Sequence, residues 1–211
     1  MSVMAALVAF ALAAGLLTIT PGLDTALVLR TAAIEGPRRA ALAALGISSG
    51  LLVWALIAAF GLGALLAASE LAYEILRWVG AAYLCWLGLG MLFRPRQDLA
   101  AADEAAGRVG GARRNWYLRG LACNLLNPKV GVFYVTFLPQ FVPGGVNVTL
   151  FILLLTAIHL LEGGLWLTLI IAATRPLSRI LRRPAFIRGL DRLTGAVLIG
   201  FGVKLAAEQR G

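Results

Sequence analysis

Long apolar runs recur along this chain of 211 residues, and they constrain its fold more than any other feature. A helix needs about 20 mostly apolar residues to cross the hydrocarbon core of a bilayer. Hydrophobic residues make up 60% of the sequence and charged residues only 14%, whereas about a quarter of the residues of a soluble domain are charged. The sequence therefore predicts an all-α integral membrane protein.

Hydropathy divides the chain into six apolar spans. They cover residues 3–29, 40–68, 72–93, 116–142, 148–173 and 189–207. Arginine residues cluster after the first, third and fifth spans, whereas the connections after the second and fourth contain no Lys or Arg. Because Lys and Arg remain on the cytoplasmic side of a membrane, we expect these basic loops in the cytoplasm and both termini outside. The net charge of +9 then predicts contact with membrane lipid and no nucleic-acid partner.

The longest polar connection separates two halves of equal span number. We interpret residues 1–93 as one three-helix repeat, residues 94–115 as a cytoplasmic linker and residues 116–211 as a second three-helix repeat of one membrane domain. Two halves with an odd number of spans lie in opposite orientations if they share a fold. The predicted architecture is therefore an inverted repeat of the kind found in secondary transporters.

Proline interrupts the first span of each half. The two stretches read Thr20-Pro21-Gly22-Leu23-Asp24 and Asn124-Leu125-Leu126-Asn127-Pro128-Lys129. Proline lacks an amide donor and clashes with the preceding helical turn, so it breaks or kinks a helix. Since Thr and Asn are favoured caps and Pro is favoured at the first helical position, we expect Thr20 and Asn127 each to start a new half-helix within the membrane.

Asp24 and Lys129 lie next to the two breaks, within long apolar runs. An ionisable residue at such a depth indicates function by default. Helix N-termini carry partial positive charge and free amide groups, which suit a carboxylate. Asp24 suits an ammonium group or a proton, and Lys129 suits a carboxylate. The sequence thus predicts a site for a zwitterionic amino acid, formed by Thr20, Pro21, Gly22, Asp24, Asn124, Asn127, Pro128 and Lys129. The alternative that Asp24 and Lys129 only neutralise each other stays open at this point.

His159 and Glu162 in the fifth span are three residues apart and share one helix face. Together with Asp24 they are candidates for proton coupling, although interhelical hydrogen bonding explains His159 equally well. The chain contains no Gly-x-x-x-x-Gly-Lys-Ser/Thr nucleotide loop, so an ion or substrate gradient has to supply the energy. No cofactor and no metal site are predicted.

Four motifs along the chain resemble those of the LysE/RhtB family of amino-acid exporters, and they occur in the family's order and at fitting separations. Besides the two proline stretches they are Gly80-Ala81-Ala82-Tyr83-Leu84-Cys85-Trp86-Leu87-Gly88 and Phe137-Leu138-Pro139-Gln140-Phe141. The family usually has Pro-Gly-Pro-Asp, and Leu23 stands here in place of the second proline. The resemblance implies export of amino acids or close derivatives, homoserine- or threonine-like or otherwise small, across the bacterial inner membrane by proton antiport.

Other functions remain as alternatives. A related inverted-repeat fold could carry another small solute, a metal ion or a lipid, although no Cys or Met cluster supports a soft-metal pathway. In a membrane-embedded enzyme, His159 and Glu162 would act as acid and base, but no nucleophile or metal triad accompanies them. We therefore expect a transporter and not an enzyme, and we leave a homo-oligomer open.

Overall fold

The computed structural model of the protein describes residues 2–68, 70–95, 115–174, 176, 180 and 183–207. Within these residues every regular element is helical. The helices are α1 (Val3–Ile19), α2 (Leu23–Ile34), α3 (Pro37–Ala68), α4 (Glu70–Phe93), α5 (Trp116–Leu125), α6 (Pro128–Val132), α7 (Val148–Ala172) and α8 (Pro184–Ala207). The short helix α6 continues as a π-helical turn over Phe133–Phe137 and a 3-10 turn over Leu138–Phe141.

Two stretches, Pro37–Gly61 of α3 and all of α7, are long and apolar enough to cross a membrane by themselves. Two further candidates are broken spans, because α1 and α2 meet at 50° and α5 meets the segment Pro128–Phe141 at 55°. If each bent pair is one span, the described part of the chain contains four candidate spans. The all-helical fold and the interruption of the first and fourth predicted spans are confirmed. The arrangement of six spans as inverted repeats stays a prediction.

Most of the predicted linker of residues 94–115 lies outside the described residues, which stop at residue 95 and resume at residue 115. The division of the chain into repeats of residues 1–93 and 116–211 therefore also stays a prediction. The last helix begins at Pro184, five residues before the start that hydropathy predicts for the last span at residue 189.

Glycine allows α3 and α5 to pack at close range. A Cβ atom on Gly46 would overlap the backbone of Tyr117, and one on Gly120 would overlap the Ala43 carbonyl. Next along α3, a Cβ on Gly50 would lie 2.5 Å from Oδ1 of Asn124. The close crossing therefore brings Asn124 into the protein interior, where it is fully buried.

Helices α4 and α8 form the most extensive helix pair. Gly88 and Gly195 face each other, since a Cβ on either would lie 2.6 Å from the carbonyl oxygen of the other. Gly202 similarly leaves room for Cys85. A cluster of aromatic rings joins this pair to the rest of the core, where Phe137 contacts Phe201 of α8 with ring centroids 4.3 Å apart.

Candidate functional site

The first proline break separates α1 from α2 by three residues. Thr20 is the C-cap of α1, and Gly22 is the N-cap of α2, which begins at Leu23. Helix α2 therefore does not start at Pro21 as predicted, and the prediction that Thr20 is its N-cap is wrong. The reason is that its hydroxyl group has other partners: it donates to the Leu16 carbonyl at 2.7 Å and lies 2.6 Å from the Thr194 hydroxyl of α8. Because its single proton goes to Leu16, Thr20 accepts from Thr194.

The second proline break follows the predicted pattern. Asn127 is the N-cap of α6, and its Oδ1 accepts a hydrogen bond from the Lys129 amide at 3.2 Å. Pro128 is the first residue of the helix. The second break is thus one residue shorter than the first, and an adjacent side chain satisfies one of the free amide groups.

Lys129 extends from the second break to the first. Its ammonium group donates to the carbonyl oxygens of Leu17 at 2.8 Å and Thr20 at 3.0 Å. The last carbonyl groups of a helix lack partners within the helix and form the negative end of its dipole. Lys129 therefore stabilises the end of α1 and is not held only by a neutralising pair with Asp24.

Asp24 lies in the first turn of α2, where the positive end of the helix dipole favours a carboxylate. Its Oδ2 accepts a hydrogen bond from Asn124 Nδ2 at 2.8 Å. Its buried Oδ1 has no hydrogen-bond partner among the residues that the structure describes. Since buried polar atoms are normally paired, this oxygen has capacity for an ammonium group or a proton.

A central cavity of about 60 Å³ lies between the two breaks and α7. Since one water needs about 10–15 Å³ of cavity volume, the cavity has room for about four to six waters. Six of the residues predicted from the sequence line it: Thr20, Gly22, Asp24, Asn127, Lys129 and His159. The remaining lining residues are Leu17, Thr18, Thr25, Ile47, Ser48, Leu51, Val130, Gly163, Trp166 and Leu167.

The other predicted residues lie close to this cavity without lining it. Asn124 holds Asp24 from α5, and Pro21 is buried within the first break. Pro128 lines a second, larger cavity described below. The binding roles of all these residues remain predictions.

The two proton-coupling candidates of α7 have different surroundings. His159 is 5% exposed and lines the central cavity, and its Nδ1 lies 3.1 Å from the Tyr134 hydroxyl. Glu162 is absent from the lining residues of that cavity. Its Oε1 lies 3.6 Å from the position of a Cβ on Gly15, and its Oε2 has no partner within the described ranges. His159 is therefore the nearer of the two to a molecule in the cavity.

A second cavity of about 780 Å³ lies between α4, α8 and the starts of α2 and α6. We call it the α4–α8 groove. Its lining residues are Gly22, Leu23, Trp86, Leu87, Leu89, Gly90, Met91, Phe93, Arg94, Asn127, Pro128, Lys129 and Asp191. Gly22, Asn127 and Lys129 also line the central cavity, so the two cavities meet at the proline breaks.

Several polar residues of this region were not among the site residues predicted from the sequence, and they include Asp191, Thr194, Ser48 and Trp166. Asp191 could have been found, because a carboxylate near the start of an apolar span is unusual. Thr194, Ser48 and Trp166 carry no such signal, since hydroxyl and indole side chains are ordinary in membrane helices. Within the described ranges, no group of three or more His, Cys, Asp or Glu residues comes together as a metal site.

Comparison with known proteins places the chain among membrane translocators. The sequence model of the family described as LysE type translocator matches residues 16–209. An uncharacterized membrane protein of Bacillus subtilis is 30% identical over 206 residues, which cover 95% of this chain and 98% of that protein. The leucine efflux protein of Enterobacter sp. is 30% identical over 196 residues, covering 90% of each chain.

A further relative is the homoserine/homoserine lactone efflux protein of Salmonella typhi. It is 34% identical over 134 residues, which cover 64% of this chain and 63% of that protein. The comparison with solved structures found no significant match. The Enterobacter and Salmonella relatives are both named as efflux proteins.

Proposed function

Since the chain belongs to the LysE type translocator family, we propose that it exports amino acids or close derivatives from the bacterial cytoplasm by proton antiport. The efflux proteins for leucine and homoserine among its relatives support an amino-acid substrate. The observation that carries the proposal is the first proline break, where a half-satisfied carboxylate and an ammonium group line one small cavity.

The proposed substrate is a zwitterion of small size, homoserine- or threonine-like. Its ammonium group binds Oδ1 of Asp24, which has no hydrogen-bond partner among the described residues. Its carboxylate binds Lys129 and the first amide groups of α2, a helix of 12 residues whose N-cap Gly22 offers no side chain. Both charges of the substrate are then matched.

Binding at this place gives a reason for the helices to move. In the structure Lys129 donates to the carbonyl groups of Leu17 and Thr20 at the end of α1. A substrate carboxylate competes with these two carbonyls for the ammonium group. When Lys129 exchanges partners, the link between α6 and α1 weakens, and we propose that this exchange accompanies alternating access.

The packing of the helices supports two inverted repeats. Both proposed halves begin with a broken span, bent by 50° and 55°. Helix α3 packs against α5 and helix α7 against α1, while α4 pairs with α8. An exchange of the halves of residues 1–93 and 116–211 relates the first two contacts and leaves the third unchanged. We propose that residues 94–115 form the cytoplasmic linker, with both termini in the periplasm.

Asp24 is also the proposed proton carrier. A carboxylate that binds either the ammonium group of the substrate or a proton, but not both, couples export of the amino acid to import of a proton. His159 lines the same cavity, and Glu162 lies one helical turn further along α7. Both are proposed as relay groups between this carboxylate and water.

Counterflow into proteoliposomes tests the proposal. Vesicles with purified protein are loaded with an unlabelled amino acid, and uptake of labelled amino acids is measured with and without an imposed pH gradient. We expect accumulation of at least one amino acid and a rate that depends on the gradient. Accumulation that ignores the gradient would contradict proton antiport, and absence of accumulation for every amino acid would contradict amino-acid transport.

A further inference from the structure

One face of α4 forms an apolar wall along the α4–α8 groove. Trp86, Leu87, Gly90 and Met91 all line it. The pairs Trp86–Gly90 and Leu87–Met91 are four residues apart, so the members of each pair lie one turn apart on the same side of the helix. Trp86 is 67% exposed within the chain. A Cβ added to Gly90 would meet nothing within 4 Å, so this wall borders open space.

The groove ends at the proposed substrate site. Its inner end is formed by Gly22, Asn127 and Lys129, which also line the central cavity. A molecule whose charged head lies at these three residues can therefore extend its other atoms in either direction. Towards the central cavity it finds about 60 Å³, and towards the groove about 780 Å³.

The two cavities therefore suit different parts of a substrate. The central cavity holds the ammonium and carboxylate groups with little space left over. The groove is more than ten times larger than the central cavity and gives a large side chain an apolar surface.

A membrane lipid is the other occupant that an apolar groove suits. A phospholipid has apolar chains that suit the wall and a phosphate that suits Lys129 and Arg94. This groove ends at an ammonium group and is also lined by Arg94 and Asp191, of which Asp191 is 1% exposed. The continuity of the groove with the central cavity through Gly22, Asn127 and Lys129 favours the transported amino acid. A bound lipid would not make the KM for leucine depend on the groove more than the KM for alanine does, so the experiment below distinguishes the two occupants.

We propose that the α4–α8 groove is the side-chain subsite of the transporter and that it takes amino acids with a large apolar side chain. This inference rests on the proposed amino-acid export and adds the class of side chain. The side chain lies against Trp86, Leu87 and Met91 of α4, while the charged groups lie at the proline breaks. The range of substrates then extends beyond small amino acids.

Filling the groove tests this inference. Gly90→Leu places an isobutyl group in the open space beside the wall. Gly61→Leu is the matched control, because Gly61 is also exposed, also has nothing within 4 Å of a Cβ and does not line the groove. Counterflow of labelled leucine and labelled alanine is measured for both variants and the wild type in proteoliposomes, after each has eluted as a single folded species in detergent.

We expect Gly90→Leu to raise the KM for leucine by about tenfold or more, the scale on which hydrophobic pockets discriminate, and to leave the KM for alanine unchanged. Gly61→Leu should change neither value. An unchanged KM for leucine in Gly90→Leu would overturn the inference alone, as would an equal rise for both amino acids. A wild-type protein that moves no amino acid would overturn the proposed function, and this inference with it.

A second pair of variants removes part of the wall and keeps the test independent of the Gly90 substitution. Trp86→Ala shortens the apolar surface at an exposed position, so the fold is expected to tolerate it. Trp78→Ala is its control, since Trp78 is exposed on the same helix and does not line the groove. The KM for leucine should rise in Trp86→Ala and not in Trp78→Ala. Equal values in the two variants would overturn the inference.

Discussion

The two proline breaks satisfy their helix ends in different ways. At the second break the side chain of Asn127 caps α6, and Pro128 is already the first helical residue. At the first break no side chain caps α2, whose N-cap is Gly22. The end of α1 instead depends on residues far along the chain, because Lys129 binds its carbonyl groups and Thr194 binds Thr20.

We propose that this difference separates a structural break from a functional one. A break whose polar groups find partners among adjacent residues has no free groups to offer a ligand. A break whose partners lie on other helices can exchange those partners for a ligand, and the exchange then changes how the helices contact each other. The first break therefore offers the better place for binding, and the second supplies Lys129 to it.

The largest effect is expected at Asp24 of the first break. Asp24→Asn keeps the size of the side chain but removes the negative charge that pairs with the substrate's ammonium group. Loss of one partner from a buried charge pair costs about 2–5 kcal/mol. Transport should fall about 30-fold or more while the protein stays folded. Counterflow in proteoliposomes measures the rate, and Glu35→Gln, which removes a carboxylate from an exposed ion pair, serves as the control. Undiminished transport would remove Asp24 from the mechanism.

A loss of stability is expected at Lys129. Lys129→Met keeps the length of the side chain but leaves the carbonyl groups of Leu17 and Thr20 without their ammonium partner. Since hydrogen bonds to charged groups contribute about 1.5–3 kcal/mol, we expect a comparable decrease in the free energy of unfolding, measured by denaturant titration in detergent. Arg39→Met removes one partner of an exposed ion pair and should cost less than about 1 kcal/mol. Equal stabilities of the two variants would show that Lys129 does not hold the end of α1.

The smallest effect is expected at the locally capped break. Asn127→Ala removes the cap on the Lys129 amide and should lower the free energy of unfolding by about 1 kcal/mol. Asn127→Ser should restore most of that loss, because serine is also a good N-cap. If the serine variant were no more stable than the alanine variant, capping would not explain the second break.

Sequence reasoning was most successful where the constraint is local. Pro21 and Pro128 predict the two breaks because proline removes an amide donor wherever it stands. The cap at Asn127 follows from three adjacent residues. The same reasoning was wrong at Thr20, whose hydroxyl group bonds within α1 and with α8. The hydrogen bond with Thr194 exists only because α8 packs beside the end of α1, and the sequence does not show that packing.

Placement of the charges was predicted only in part. The sequence indicated that Asp24 and Lys129 share one region, and both line the central cavity. It did not indicate that Lys129 binds the end of α1, because that bond depends on how far α6 lies from α1. The resemblance to the LysE family is confirmed by the family match over residues 16–209. It could be predicted because the motifs are read directly along the chain.

The sequence by itself determined that this protein is a helical membrane protein, that two of its spans break at proline and that an acid and a base lie near the breaks. Apolar length, proline and charge are properties of single residues and short stretches, so they can be read from the sequence. Only the tertiary structure decided which break keeps free polar groups and where a groove with an apolar wall opens. Those features arise from contacts between residues such as Lys129 and Leu17, and only the packing of the helices brings such distant residues together.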